Sequence, residues 1–169
     1  PKSTQSKSHK FVHILNKELV NLGLDVKTIT PHSQGSATTE IKDSVVVKRF
    51  RYLPEKYEID SSISDLIKES KVNVIKVVFM MVNFFVFTFF ECLKERPAVI
   101  HGHWAFPGGV IAFIMSRIFK RNFIVTIHGG LGILEKFKLL RRISIYALNH
   151  ASLVIANSNY TKKELVKMG

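Results

Sequence analysis

Apolar residues recur along this chain with two different periods. In residues 7–22, Phe11, Val12, Leu15, Leu19 and Leu22 stand three and four apart, one face of a helix, and Gly23 supplies its stop. DVKTIT at 25–30 and DSVVVKRFRY near 44–51 instead alternate and are β-branched, which predicts strands, with PHSQGS as a loop between them. The pattern continues with an apolar helix over 72–95, strands at 98–102, 122–128 and 153–157, one helix after Pro107 and another over 135–149. Thr161 with Glu164 spells a capping box for a last helix. Short apolar strands alternating with helices predict an α/β fold, a doubly wound parallel sheet with helices on both faces.

The helix over 72–95 stands apart. Residues 72–93 hold 17 apolar residues of 22, six of them phenylalanines. Only 14 residues separate Lys76 from Glu91, about 21 Å of helix against ~30 Å of hydrocarbon, so length argues against a membrane span. On a helical wheel Asn73, Lys76, Asn83, Glu91 and Lys94 fall within about 80°, a narrow polar stripe on an apolar cylinder. That pattern predicts a core helix buried on most sides; a membrane-surface helix and a span are the alternatives.

Composition narrows the class. With 46% hydrophobic and 11% aromatic residues in 169, the chain is too apolar for disorder and of a length for one domain. Its one cysteine, Cys92, excludes an internal disulfide and a cysteine-based zinc cluster. The first ten residues hold no apolar run of signal-peptide type, so a cytoplasmic location is expected. The net charge of +12 is uneven: residues 101–169 carry ten basic and two acidic residues. A solvated basic face is the plain reading, and a phosphate-bearing partner or an anionic membrane surface the sharper one. Nucleic acid is not expected, since basic residues and aromatics do not interleave into a stacking platform.

In open α/β sheets ligands bind beyond the carboxyl ends of the strands. Two strands end in candidate chemistry: HGHWAFPGG at 101–109 and TIHGGLG at 126–132. His101 and His103, two apart, point the same way, and His128 ends the neighbouring strand. Three histidines suggest zinc and a metal-dependent hydrolase, but neither segment holds an Asp or Glu to orient a ligand or act as base. The same histidines suit a sugar and its phosphates, as hydrogen-bonding groups that steady negative charge on a departing phosphate. Gly129, Gly130 and Gly132 allow close backbone approach, while Gly108 and Gly109 open a helix whose amides can face an anion; tight turns account for the same glycines.

The segment AVIHGHWAFPGGVIAFIMSRIFKRNFIVTIHGG, followed by ALNHASLVIANSNYTKKEL, closely resembles the N-terminal domain of family 4 glycosyltransferases, which have the GT-B fold. FVHILNKELVNLGLDVKTITPHSQGS and DSVVVKRFRYLPEKYE agree with it, so the resemblance covers essentially the whole chain. It implies a single Rossmann-like domain over residues 1–169, the acceptor-side half of a retaining enzyme that moves a sugar from a nucleotide-diphosphate sugar to a lipid-linked or polysaccharide acceptor. It implies no metal or other cofactor. His128 matches the family's catalytic histidine, and Gly129 the glycine after it. His103, Trp104, Gly108, Gly109 and Gly130 fall in the motifs lining the substrate side, and Ser158 aligns with a serine expected to cap or pack the last helix.

The family's first strand with its glycine-rich loop, and its C-terminal nucleotide-binding domain, match nothing in these residues. The resemblance therefore implies a domain truncated at both ends and inactive alone. The basic charge of residues 101–169 adds the expectation of a cytoplasmic enzyme, peripheral at the inner face of the cell membrane. A non-catalytic membrane- or partner-binding module with the same fold is the competing expectation.

Overall fold

The computed structural model describes residues 7–58 and 71–169. The chain divides into two compact units, with the boundary between Phe87 and Thr88.

In the first unit, α1 (Lys7–Asn21) leads to β1 (Lys27–Pro31), β2 (Thr39–Lys42) and β3 (Val45–Phe50), a three-stranded sheet in the order β1-β3-β2. β1 runs parallel to β3, with Lys27 opposite Val46 and Pro31 opposite Phe50. β2 pairs antiparallel with β3 through a turn at Asp43 and Ser44, whose φ values of 48° and 63° match the right-handed twist of a two-residue hairpin. The sequence reading has no strand at 39–42, because neither turn residue is a glycine. α1 ends at Gly23 as expected, with the Leu24 amide donating to the Leu19 carbonyl. Its buried side is rotated from the expected face: Phe11 and Leu22 are exposed, while Asn16 is buried and donates to Thr28 Oγ1 at 2.8 Å. Phe50, Tyr52 and Met80 form the core of this unit, with Phe84 stacked on Phe50 at 5.0 Å between ring centroids.

The long helix α2 (Lys71–Glu95) crosses the boundary between the units. Val74–Glu95 is long and apolar enough to cross a membrane by length and composition, yet only 17% of its most apolar window is buried. This overturns the expected core helix. Val77, Met80 and Thr88 are buried, and the opposite side, including Phe79, Val82 and Phe90, is exposed. The polar stripe at Lys76, Asn83 and Lys94 borders the exposed arc instead of forming it, because the number of apolar positions does not say which of them meet protein.

In the second unit β4 (Val99–His103), β5 (Asn122–Ile127) and β6 (Leu153–Ala156) form a parallel sheet in that order. After β4 comes a π-type turn, Trp104–Gly109, then α3 (Val110–Phe119). After β5 come α4 (Gly132–Lys136) and α5 (Lys138–Asn149), so the helix expected over 135–149 is broken at Phe137, an extended residue. Phe123, Val125 and Ile127 point from one side of β5 into a core with Ala112, Leu134 and Leu148. α6 (Asn159–Met168) closes the chain. Its cap is Ser158, whose Oγ accepts from the Thr161 amide at 3.1 Å. The Thr161–Glu164 box does not form: Thr161 donates to Asn157 Oδ1, and Glu164 takes Lys167. The architecture is the expected mixed α/β one, with a parallel sheet and helices on both sides.

Candidate functional site

Strand alternation and register build the site. His101 and His103 lie on one side of β4, and the register sets His103 beside Thr126. Because β5 turns Phe123, Val125 and Ile127 into the core, Thr126 and His128 fall on the other side, with the two β4 histidines. Four polar side chains therefore gather at the carboxyl edge of the sheet.

They are bonded to one another. His103 Nδ1 lies 3.0 Å from His128 Nε2, and His101 Nε2 lies 2.8 Å from Thr126 Oγ1. The His101 and His103 rings lie 4.3 Å apart between centroids, tilted by 33°, and Trp104 leans on His128 at 5.1 Å. Burial pushes the His103 imidazole down to about 3, with the neighbouring rings of His101 and His128 adding to it. Burial also lowers His101, with His128 adding, and lowers His128 by itself. Among the described residues no carboxylate offsets these shifts, and the lowered values leave all three rings neutral at pH 7. Two neutral imidazoles in contact share one hydrogen: one nitrogen donates and the other accepts.

The glycines fall into two groups. Gly129 and Gly130 follow His128 with φ of 91° and 74°, a left-handed turn that glycine adopts without strain, and a Cβ on Gly130 would stand 3.5 Å from the Trp104 ring. Gly108 instead lies under the main chain of His103, and a Cβ there would overlap the His103 carbonyl oxygen. Gly109 packs against the Trp104 carbonyl and Val125. The histidine and glycine segments so meet as one edge: His103, Trp104, His128, Gly129 and Gly130 lie together, and Gly108 and Gly109 support the β4 end from beneath.

Sequence reasoning missed Thr126, the partner of His101. Alternation held the signal, since Thr126 stands two residues before His128 on the same strand. Among the described residues no group of three or more His, Cys, Asp or Glu is placed to hold a metal ion. The nitrogens that two of the histidines would offer an ion face each other instead. Two grooves, of about 460 and 600 Å³, lie elsewhere, beside Arg141 and Tyr146 and beside Asn157 and Lys162.

A parallel α/β sheet with polar groups and glycine turns at its carboxyl edge is the layout of a small-molecule-binding domain. The chain belongs to glycosyltransferase family 4, whose sequence model matches residues 9–169. The domain is thus of glycosyltransferase type. No curated protein matches it.

Proposed function

We propose that this chain is the acceptor-side domain of a retaining glycosyltransferase. It acts with a nucleotide-binding domain to move a sugar from a nucleotide-diphosphate sugar to a hydroxyl of a lipid-linked or polysaccharide acceptor, at the cytoplasmic face of the membrane and without a metal. The observation that carries this reading is the His103–His128 contact beside Trp104. With Nε2 of His128 turned to His103, Nδ1 is its remaining ring nitrogen for a ligand. When His103 donates across the contact, His128 holds its hydrogen on Nδ1 and presents a neutral donor to a donor-sugar or phosphate oxygen. Trp104 offers an apolar face to a sugar ring, and Gly129 and Gly130 leave room for it. His103 lines the acceptor side, and Gly108 and Gly109 fix its backbone.

The test is His128→Ala in a protein carrying both domains, with folding followed by circular dichroism. Transfer is expected to fall about 10²–10⁴-fold with the fold retained. Unchanged transfer removes His128 from catalysis, and no transfer by the unaltered protein with any nucleotide sugar favours the non-catalytic module.

A further inference from the structure

We propose that His103 and His128 form a proton relay, in which His103 takes the proton of the acceptor hydroxyl and His128 delivers one to the departing phosphate. The inference rests on the transfer reaction proposed above and gives His103 a catalytic part in it, beyond lining the acceptor side.

Three observations carry it. First, the two rings meet nitrogen to nitrogen, His103 Nδ1 on His128 Nε2 at 3.0 Å, and their other ring nitrogens bond to nothing among the described residues. A neutral imidazole carries one N–H, so a hydrogen crosses this contact without charging a ring only as another enters at His103 Nε2 and a third leaves from His128 Nδ1. Second, burial opposes charge on these rings, holding His103 down at about 3, and among the described residues no carboxylate stands by to steady an imidazolium. A lone histidine acting as base would end charged in that setting, whereas a relay ends with both rings neutral. Third, the rings are held in place. His101 lies against His103 and bonds to Thr126, Trp104 leans on His128, and Gly108 supports the main chain of His103. Fixed spacing is what a concerted shift of hydrogens requires.

The bond from the anomeric carbon to the phosphate oxygen breaks with its electron pair on the phosphate, and the acceptor oxygen bonds to that carbon. The acceptor proton goes to His103 Nε2, the Nδ1 hydrogen of His103 to His128 Nε2, and the Nδ1 hydrogen of His128 to the phosphate oxygen. Exchange with water restores the starting hydrogens between turnovers. Retention puts the entering and departing oxygens on one face of the sugar, so one pair of rings can serve both.

A protein carrying both domains tests the relay, with a panel of nucleotide-diphosphate sugars as donors, an alkyl glycoside as acceptor and folding followed by circular dichroism. His103→Asn is the deciding variant: its amide nitrogen matches Nδ1 and can still donate to His128, but it cannot take a proton from the acceptor and pass one on. Transfer is expected to fall about 10²–10⁴-fold, as for His128→Ala. The double variant is expected to fall no further, because the two rings act as a unit. In single turnovers run in mixtures of light and heavy water, the rate of the unaltered protein is expected to curve with deuterium content, since several hydrogens move together, and that of His103→Asn to run straight. Near-normal transfer by His103→Asn makes His103 a positioning residue and overturns the relay, as do losses that multiply in the double variant or a straight dependence in the unaltered protein. Those outcomes leave the glycosyltransferase reading standing; no transfer by the unaltered protein with any donor overturns both.

Discussion

His32 follows β1 and His103 closes β4, each at the carboxyl end of a parallel strand, yet among the described residues a carboxylate meets His32 and none meets His103. His32 is 1% exposed, its Nε2 donating to the Ser36 carbonyl at 2.8 Å and its Nδ1 lying 2.6 Å from Glu58 Oε2. A carbonyl only accepts, so Nε2 carries a hydrogen, and a second hydrogen lies between Nδ1 and Oε2. Both nitrogens are spent on pinning the loop at 32–36, where the Gly35 amide also donates to Glu55. His103 is paired with another histidine, and the pair keeps nitrogens facing away from the contact. A buried histidine held by a carboxylate and a carbonyl is a structural post. Histidines that face only each other, without a carboxylate, keep capacity for a ligand.

Substitutions can break or sharpen this contrast. The largest effect is expected for His32→Ala, which strands Glu58 in the interior: about 3–5 kcal/mol of stability by chemical denaturation. A cost near zero would remove its structural role. Gly108→Ala drives a methyl into the His103 carbonyl and is expected to cost about 3 kcal/mol, with the loss read from the emission of Trp104, the only tryptophan.

Acidification should act on the second site through His103. Its folded value, about 3, lies below the ordinary 6.5. Between these values the unfolded chain binds more protons, so stability rises with pH there and is lost as pH falls below 6.5, the loss completing near 3. By pH 4 the loss is about 3 kcal/mol. His103→Gln is expected to flatten that part of the profile, and an unaltered slope would place the acid sensitivity elsewhere. The smallest effect is expected for Thr126→Val, about 1 kcal/mol from the lost bond to His101, with Thr126→Ser restoring it. Equal behaviour of the two variants would mean that the hydroxyl does nothing.

The strands of the second unit were legible because β4, β5 and β6 are short apolar runs between helices, and the site was legible because its residues sit where those runs end. What escaped the sequence depends on long separations or on unusual local geometry. His32 and Glu58 stand 26 residues apart, and no period links them. The β2–β3 hairpin turns on Asp43 and Ser44, residues without glycine's strong turn signal. For the last helix the residue pattern put a capping box on Thr161 while the family resemblance offered Ser158; both are good capping residues, and only their contacts separate them, in favour of Ser158. The face of α2 escaped for a simpler reason: an apolar side chain reads the same whether protein covers it or not.

The packing of Gly108 beneath His103 separates where a group stands from what it is. Because one main chain seats another there, the Cα at position 103 is set without help from its own side chain. That makes 103 a socket, into which redesign can place an amide, a thiol or a carboxylate opposite His128 while the scaffold keeps the spacing.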